Sequence, residues 1–374
     1  MAGLLDYLRW RGDLSYKQSE FNSCDAGLLA TIAYWPFKKE DVGHSLRKAA
    51  QRMKRTQEFK KELGQETREE IELVTLSPRL GDMRLLDWHT QKRANPALQF
   101  AAMTVRLSKH KIVISFRGTD WSMIGLQEDM AMSYTDEIYG QEVAADYLRD
   151  IAHRFPFDKI YTVGHSKGGN YACYSVGACG KMIQDRVIQA ISFDGPGFTK
   201  QVYDAPAFKR VVHKMKTYVP ESSLFGIMLD HPEHTLVVKS TYPMPHQHNP
   251  RHWSIGRDRF VLAKGLTRSA QVIRHSLIKF NHTIPSKDRE EMWSALFSIF
   301  EDMDITKANQ LTDNKLTGTI KLTQAYIVLP PRLRTIAAQI VTDIFNSART
   351  SNQFAASSGN DSFKKPLFND SYSE

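Results

Sequence analysis

The stretch KIYTVGHSKGGNYACYSVGACGKM, residues 159–182, places a serine flanked by glycines between an apolar run and a helical segment. The run before the serine is rich in β-branched and aromatic side chains, which favours a strand. Gly164, Ser166 and Gly168 fit the pattern G-x-S-x-G, in which the serine lies on a tight strand-to-helix turn and its oxygen projects above the sheet. The stretch therefore predicts that Ser166 is a nucleophile. A glycine-rich structural bend is the alternative interpretation.

Short apolar runs on both sides of this stretch predict the rest of the sheet. Residues 98–108 and 111–116 are typical of two strands that meet at a turn. Helical segments separate most of the later runs, and this alternation favours an α/β fold with a mostly parallel sheet flanked by helices. Three further strands are expected at 187–195, 214–220 and 235–241.

Composition changes along the chain predict three regions. Residues 1–260 are expected to form the α/β domain, with a basic helical insertion at about 40–75. The insertion is interpreted as a solvated helix packed along one stripe, or alternatively as a lid or membrane-facing helix. Amphipathic segments predict a helical C-terminal extension over 261–348, and the polar segment 349–374 predicts a disordered tail.

Charge and cysteine content bound the surroundings of the protein. The net charge of +9 favours anionic neighbours, so we expect peripheral contact with an anionic membrane surface. No basic motif interleaved with aromatic residues occurs, so we expect no nucleic-acid partner. The chain has only three cysteines, no apolar leader and no run of 18 apolar residues, which predicts a cytoplasmic protein without a spanning helix.

A second strand end bears on the same predicted site. The strand 111–116 runs into Arg117, Gly118 and Thr119, and we expect the backbone N–H of Thr119 to be one of two oxyanion donors. The other donor is expected to be the backbone N–H of Lys167, directly after the serine. The Lys167 side chain is interpreted as free to contact an acidic group of a substrate.

Taken in order, these motifs resemble a known family. VISFRGTD, a following W and ED, and GHSKGG resemble the class 3 (fungal-type) lipases, which have the α/β-hydrolase fold. The resemblance is closer to a bacterial group of α/β-hydrolase-like proteins with a Mbeg-like domain, through DYLRWRGDLS, FRGTD, GHSKGGN, DGPGF, VPESS, VVKS and QH…W over about 3–260. The resemblance implies a serine hydrolase, and the closer group brings no established substrate. From the predicted site residues we expect cleavage of a small-molecule or lipid ester, or a thioester, through an acyl-enzyme. Lys167 departs from the lipase pattern, which usually has leucine there.

A catalytic histidine is expected beyond the last strand, in the segment YPMPHQHNPRHW. That segment contains His246, His248 and His252. The QH…W motif selects His248 as the base for Ser166.

The acid remains open at this stage. Asp230 is favoured because it lies in the loop before the last strand, where this fold most often places the acid. Asp194 follows the strand after the serine and is the second candidate, with the alternative that it binds backbone N–H groups of its own turn. Glu221 is the third. Class 3 lipases carry their acid just before a Val-Pro pair, where this chain has Thr217 and Tyr218.

Two other function classes compete with the hydrolase. A metal enzyme is suggested by a dense group of potential ligands, but no helical spacing such as H-E-x-x-H occurs, and we expect no metal and no cofactor. The group consists of His231, Glu233, His234, His246, His248 and His252. A non-catalytic binding module on a hydrolase scaffold is the second alternative, because a fold does not guarantee a function.

Overall fold

A computed structural model describes residues 2–120, 122–243, 246–305, 315–338 and 342 of the chain. The predicted disordered tail 349–374 lies outside the described residues, and so does the last part of the predicted C-terminal extension.

One sheet of seven strands organises the described residues, and its spatial order is the order of the chain. The first strand pairs antiparallel with the second and the second with the third, and every later pairing is parallel. The predicted mostly parallel α/β sheet is confirmed. The strands are β1 (Arg84–Arg93), β2 (Leu98–Ser108), β3 (Lys111–Phe116), β4 (Lys159–His165), β5 (Val187–Phe193), β6 (Met215–Pro220) and β7 (His234–Val238).

Helices precede the sheet, connect its parallel strands and follow it. Those before the sheet are α1 (Leu4–Arg11), α2 (Ser23–Ile32), α3 (Leu46–Met53), α4 (Gln57–Lys61), α5 (Gln65–Leu76) and α6 (Pro78–Gly81). Those within it are α7 (Met123–Ala131), α8 (Tyr139–Arg154), α9 (Lys167–Ala178), α10 (Lys181–Gln184), α11 (Lys200–Asp204) and α12 (Pro206–Lys209). Those after it are α13 (Arg268–Thr283), α14 (Ser286–Asp302) and α15 (Lys315–Val328).

The basic segment at 40–75 is not the single helix that its pattern suggests. It forms α3, α4 and α5, and the side chains of Ser45 and Thr56 cap the first two of these helices. A Ser or Thr hydroxyl that accepts from the first turn starts a new helix and interrupts the one before it. Leu46, Ala50 and Met53 face the core as the predicted stripe requires.

The core lies on both faces of the sheet. On one face, α2 packs against β3, β4 and β5, and nine of its ten residues are buried. On the other face, α8 and α9 pack against each other and the sheet, and α9 is buried along all but its last residue. The helix that follows Ser166 is therefore fixed by burial on every side, which gives the serine turn a rigid base.

Of the helices after the sheet, α14 packs against α7. Phe297 and Phe300 of α14 form one apolar cluster with Leu126 and Met130 of α7. No helix among the described residues is long and apolar enough to cross a membrane.

Candidate active site

Ser166 lies on the sharp turn that its sequence predicts. Its φ of 57° and ψ of −134° are strained for a residue with a side chain, and α9 begins at the next residue. Its backbone N–H donates to the Phe193 carbonyl at 2.9 Å, which ties the turn to the end of β5. The side chain is 8% exposed, so its hydroxyl is close to the surface but not freely solvated.

The glycines of the motif are required by close backbone approach. A Cβ on Gly164 would lie 2.0 Å from the Gly168 carbonyl oxygen, and one on Gly168 would lie 2.2 Å from the Phe116 carbonyl oxygen. Neither contact is sterically allowed, so larger residues would push β3, β4 and α9 apart. The turn, its strand and its helix are those of the nucleophile elbow of an α/β-hydrolase fold.

His248 lies beside a buried carboxylate. Its Nδ1 is 2.7 Å from Oδ2 of Asp194, and the Asp194 side chain is fully buried. The other oxygen of Asp194 accepts from the Ser223 hydroxyl at 2.5 Å and from the Gly226 N–H at 3.1 Å. A carboxylate held in this way fixes the tautomer of His248 with the proton on Nδ1, which leaves Nε2 able to accept a proton.

The geometry reverses the preferred order of the candidate acids. Asp230 is exposed, and its carboxylate accepts from the Tyr203 hydroxyl at 3.3 Å. Its backbone pairs with Phe198, which holds it at the far end of the β6–β7 loop. In the described structure no hydrogen bond or ion pair joins its carboxylate to His248. Glu221 is half-buried, and within the described ranges its hydrogen bonds are backbone ones, to Val238 and from Thr267.

Ser166 and His248 line one small cavity. Its volume is about 60 Å³, and its other walls are Tyr34, Thr119, Leu126, Asp129, His165 and Phe225. The Phe225 ring lies against His248 with the ring centroids 4.3 Å apart. No hydrogen bond joins the Ser166 and His248 side chains in the described structure, and such bonds often tighten only when a substrate is bound.

The two predicted oxyanion donors are unengaged. Within the described residues, the backbone N–H groups of Lys167 and Thr119 donate to no protein acceptor. Thr119 lines the cavity, and its hydroxyl donates to the Asp129 carboxylate. The hydroxyl oxygen lies 2.8 Å from Oδ1 and 2.7 Å from Oδ2 of Asp129. Lys167 is the first residue of α9, so its N–H is one of the free donors that every helix start provides.

The Lys167 side chain does not point to a substrate, contrary to the sequence interpretation. It is 1% exposed, and its Nζ lies 2.5 Å from Oε2 of Glu128 and 3.5 Å from Oδ1 of Asp129. Burial alone would lower its pKa, but Asp129 and Glu128 stabilise the ammonium and raise the pKa of Lys167 above its ordinary value. The side chain is therefore a buried cation that pairs with α7 beneath the site.

His165 is a site residue that sequence reasoning missed. It lies beside the serine, and its Nε2 donates to the His248 carbonyl oxygen at 2.8 Å. Its Nδ1 accepts from the Tyr34 hydroxyl at 3.0 Å, and that hydroxyl accepts from the Gly118 N–H at 3.1 Å. Burial, and then the proximity of His248, hold the pKa of His165 well below its usual range, so this imidazole is neutral. The G-x-S-x-G pattern leaves this position variable and gave no signal for it.

The remaining histidines of the dense segment are spread over several environments. His231 is buried, with Nδ1 2.8 Å from Oε1 of Glu233, while His234 and His246 are exposed. His252 stacks on Tyr242 and contacts Glu66 of α5. In the described part of the chain, no group of three or more His, Cys, Asp or Glu side chains is placed to hold a metal ion.

A comparison with protein-family models shows which family the chain belongs to. Residues 74–298, more than half of the chain, match the model described as Mbeg1-like. The chain belongs to the Mbeg1-like family. No curated protein matches this Mbeg1-like protein by sequence.

Several solved structures are similar to this Mbeg1-like protein. A fungal lipase in complex with an inhibitor is 14% identical, over 45% of this chain and 69% of its own, with a TM-score of 0.34. Lip2 lipase from Yarrowia lipolytica is 12% identical, over 60% of this chain and 80% of its own, with a TM-score of 0.37. A triacylglycerol lipase from Penicillium expansum is 10% identical, over 49% and 82%, with a TM-score of 0.30. At these values the likeness says nothing about activity.

Proposed function

We propose that this Mbeg1-like protein is a serine hydrolase that cleaves a carboxylic ester or thioester through an acyl-enzyme. The observation that carries the proposal is that Ser166 and His248 line one cavity while Asp194 holds Nδ1 of His248. Hydroxyl, imidazole and carboxylate in this order form the constellation that activates a serine for acyl transfer.

The reaction would proceed in two halves. In the first, His248 Nε2 takes the Ser166 proton as the serine oxygen attacks the carbonyl carbon, and the same proton then passes to the departing alcohol or thiol. In the second, a water molecule gives a proton to His248 and attacks the acyl-serine, and the carboxylic acid leaves as Ser166 regains its proton. The N–H groups of Lys167 and Thr119 would stabilise both oxyanions, and loss of one such donor costs about 10²–10³ in rate.

The cavity bears on the size of the acyl group. At about 60 Å³ the cavity is smaller than the roughly 150 Å³ of an apolar cavity that binds benzene. We therefore infer that short acyl groups fit this conformation, and that longer lipid chains require Leu126 and the rest of α7 to move. If α7 moves to admit longer chains, the proposal extends to a lipid ester substrate and to peripheral contact with an anionic membrane.

The proposed compartment is the cytoplasm. Cys24, Cys173 and Cys179 are all free thiols and are buried. Free thiols are stable in a reducing compartment, and burial keeps these three from exchange.

A screen with p-nitrophenyl esters of graded chain length tests the proposal. The wild type should hydrolyse the acetate and butyrate esters faster than the long-chain esters, because the cavity is small. Ser166→Ala should lose this activity at every length. Equal rates for the two proteins would overturn the proposed function and favour the alternative of a binding module on a hydrolase scaffold.

A further inference from the structure

The segment that carries His248 is held by α5, most of which lies before the residues that the family model matches. Residues 246–253, which we call the histidine loop, consist of two short 3₁₀ turns, His246–His248 and Pro250–His252. The helix α5 lies against this loop and precedes it by about 180 residues in the chain, mostly before the family match begins at residue 74. Regular structure of this kind is too short to fix a side chain without outside contacts.

Glu66 of α5 holds the loop at the residue before its second turn and at the last residue of that turn. Its Oε2 accepts from the Asn249 side-chain amide at 2.9 Å, directly after His248 in the chain. Its Oε1 lies 2.5 Å from Nε2 of His252. His252 is oriented in turn, because its Nδ1 donates to the His246 carbonyl oxygen at 2.7 Å.

Glu70, one turn further along α5, anchors the same loop to the core. It is fully buried, and Arg251 donates to its two oxygens from Nη2 at 2.6 Å and from Nε at 3.2 Å. The Trp35 indole N–H and the Thr31 hydroxyl also donate to Glu70, at 2.9 and 2.5 Å. A two-pronged contact between Arg and a carboxylate fixes direction as well as distance.

We propose that Glu66 and Glu70 are positioning residues that keep the histidine loop in register, so that His248 stays aligned between Asp194 and Ser166. This inference deepens the proposed function and rests on it. The His248 carbonyl oxygen also accepts from Nε2 of His165, so a second segment of the chain holds the backbone of the base. A displacement of about 1 Å at a reacting group can cost about 10²-fold in rate.

The charges of the Glu66–His252 pair support this role. The hydrogen bond from His252 lowers the pKa of Glu66. Burial opposes the protonation of His252, but the bonds to Glu66 and to the His246 carbonyl raise its pKa overall. Arg251 also faces this pair and opposes protonation of His252. The pair therefore gains attraction as the pH falls and His252 becomes charged.

Glu66→Ala is the decisive variant, because Glu66 is half-buried and the fold should tolerate its loss. We expect kcat for a short ester to fall about ten- to a hundredfold while KM changes less than about threefold, since alignment and not substrate binding is affected. Glu66→Gln keeps an oxygen that can accept from Asn249 and should recover part of the loss. Glu72→Ala, which removes an exposed carboxylate from the same helix, is the matched control and should retain wild-type kcat.

A second measurement separates this inference from the proposed function. The His248 Nδ1 proton, observed by nuclear magnetic resonance, reports the bond to Asp194 whether or not the protein is active. Broadening or loss of that resonance in Glu66→Ala, but not in Glu72→Ala, would support positioning. If the protein is active, an unchanged kcat in Glu66→Ala would overturn the inference. If the protein has no Ser166-dependent activity, an unchanged His248 resonance in Glu66→Ala would overturn it. A kcat that falls equally in Glu72→Ala would also overturn it, because the effect would then be general destabilisation.

Discussion

The two sides of Ser166 are both built on buried carboxylates, yet they differ in what the carboxylate holds. On the base side, Asp194 holds His248, whose side chain is 14% exposed and whose ring lines the cavity. On the oxyanion side, Glu128 holds Lys167, and both side chains are only 1% exposed. Because His248 reaches the cavity, it can exchange a proton with a substrate. The Lys167 side chain is buried away from the cavity, so it can only stabilise the structure around it.

The carboxylates on the oxyanion side serve stability, as their pKa shifts indicate. Burial raises the pKa of Glu128 and of Asp129, and these carboxyl groups depend on Lys167 to remain ionised. Glu128 also accepts hydrogen bonds from the Tyr171 hydroxyl and the Gln99 N–H. The oxyanion side therefore holds α7, β2 and α9 together through a network whose central pair, Lys167 and Glu128, is sealed from solvent. The comparison predicts loss of chemistry from changes on one side and loss of stability from changes on the other.

The largest effect is expected on the base side. Asp194→Asn should lower kcat/KM for a short ester by about 10⁴, because an amide no longer selects the tautomer of His248 that accepts the serine proton. The free energy of unfolding should change much less than the activity, and a urea titration measures it alongside the kinetics.

Asp230→Asn is the control for this prediction, since it makes the same chemical change at the acid that the sequence favoured. Its activity should stay within about threefold of wild type, because Asp230 is an exposed residue. A large loss of activity in Asp230→Asn with near wild-type activity in Asp194→Asn would contradict this assignment. The acid would then be Asp230 of the β6–β7 loop.

A smaller effect, and a different one, is expected on the oxyanion side. Lys167→Leu introduces the residue that the class 3 lipases usually have and leaves Glu128 buried without its cation. The free energy of unfolding should fall by about 3–5 kcal/mol, as for other broken buried ion pairs. Urea unfolding measures this loss. Activity of the remaining folded protein should fall less than in Asp194→Asn, because the oxyanion donor is the backbone N–H.

Lys181→Leu provides the reference for this substitution, because the Lys181 side chain is 69% exposed. Its stability should change by no more than about 0.5 kcal/mol. A Lys167→Leu protein with wild-type stability but abolished turnover would show that the buried ammonium acts in the chemistry, and the contrast between the two sides would fail.

Much of the fold could be predicted from the sequence because its signals are local. The runs that precede and follow Ser166 are short and mostly apolar, and the structure places strands at all of them. The sequence does not predict β1, because buried and exposed residues do not alternate along it: Leu85 is the one buried residue of this strand. The division into α/β domain, extension and tail stays a prediction, since part of it falls outside the described residues.

The candidate site could be predicted only in part, because its partners come from distant segments. Ser166 and His248 were found from motifs, but the choice of Asp194 over Asp230 depends on how two loops turn after adjacent strands. Asp194 has a φ of 52°, a left-handed turn that directs its side chain to Ser223 and His248. No spacing of residues in the sequence predicts that turn.

The role of α5 was hidden for the same reason. Glu66 and Glu70 read as ordinary charges in a basic, polar segment, and their partners lie more than 180 residues later. The lid interpretation of 40–75 gains no support from these contacts, since they tie α5 down to the histidine loop. Only the tertiary structure distinguishes a solvated carboxylate from one that holds a loop.

Covalent labelling with a fluorophosphonate probe, mapped by mass spectrometry, tests the central claim most directly. The account predicts that the wild-type protein is labelled at Ser166, that His248→Ala is labelled far more slowly, and that Ser166→Ala is not labelled. Labelling that persists in Ser166→Ala, or that maps to another residue in the wild type, would contradict the account.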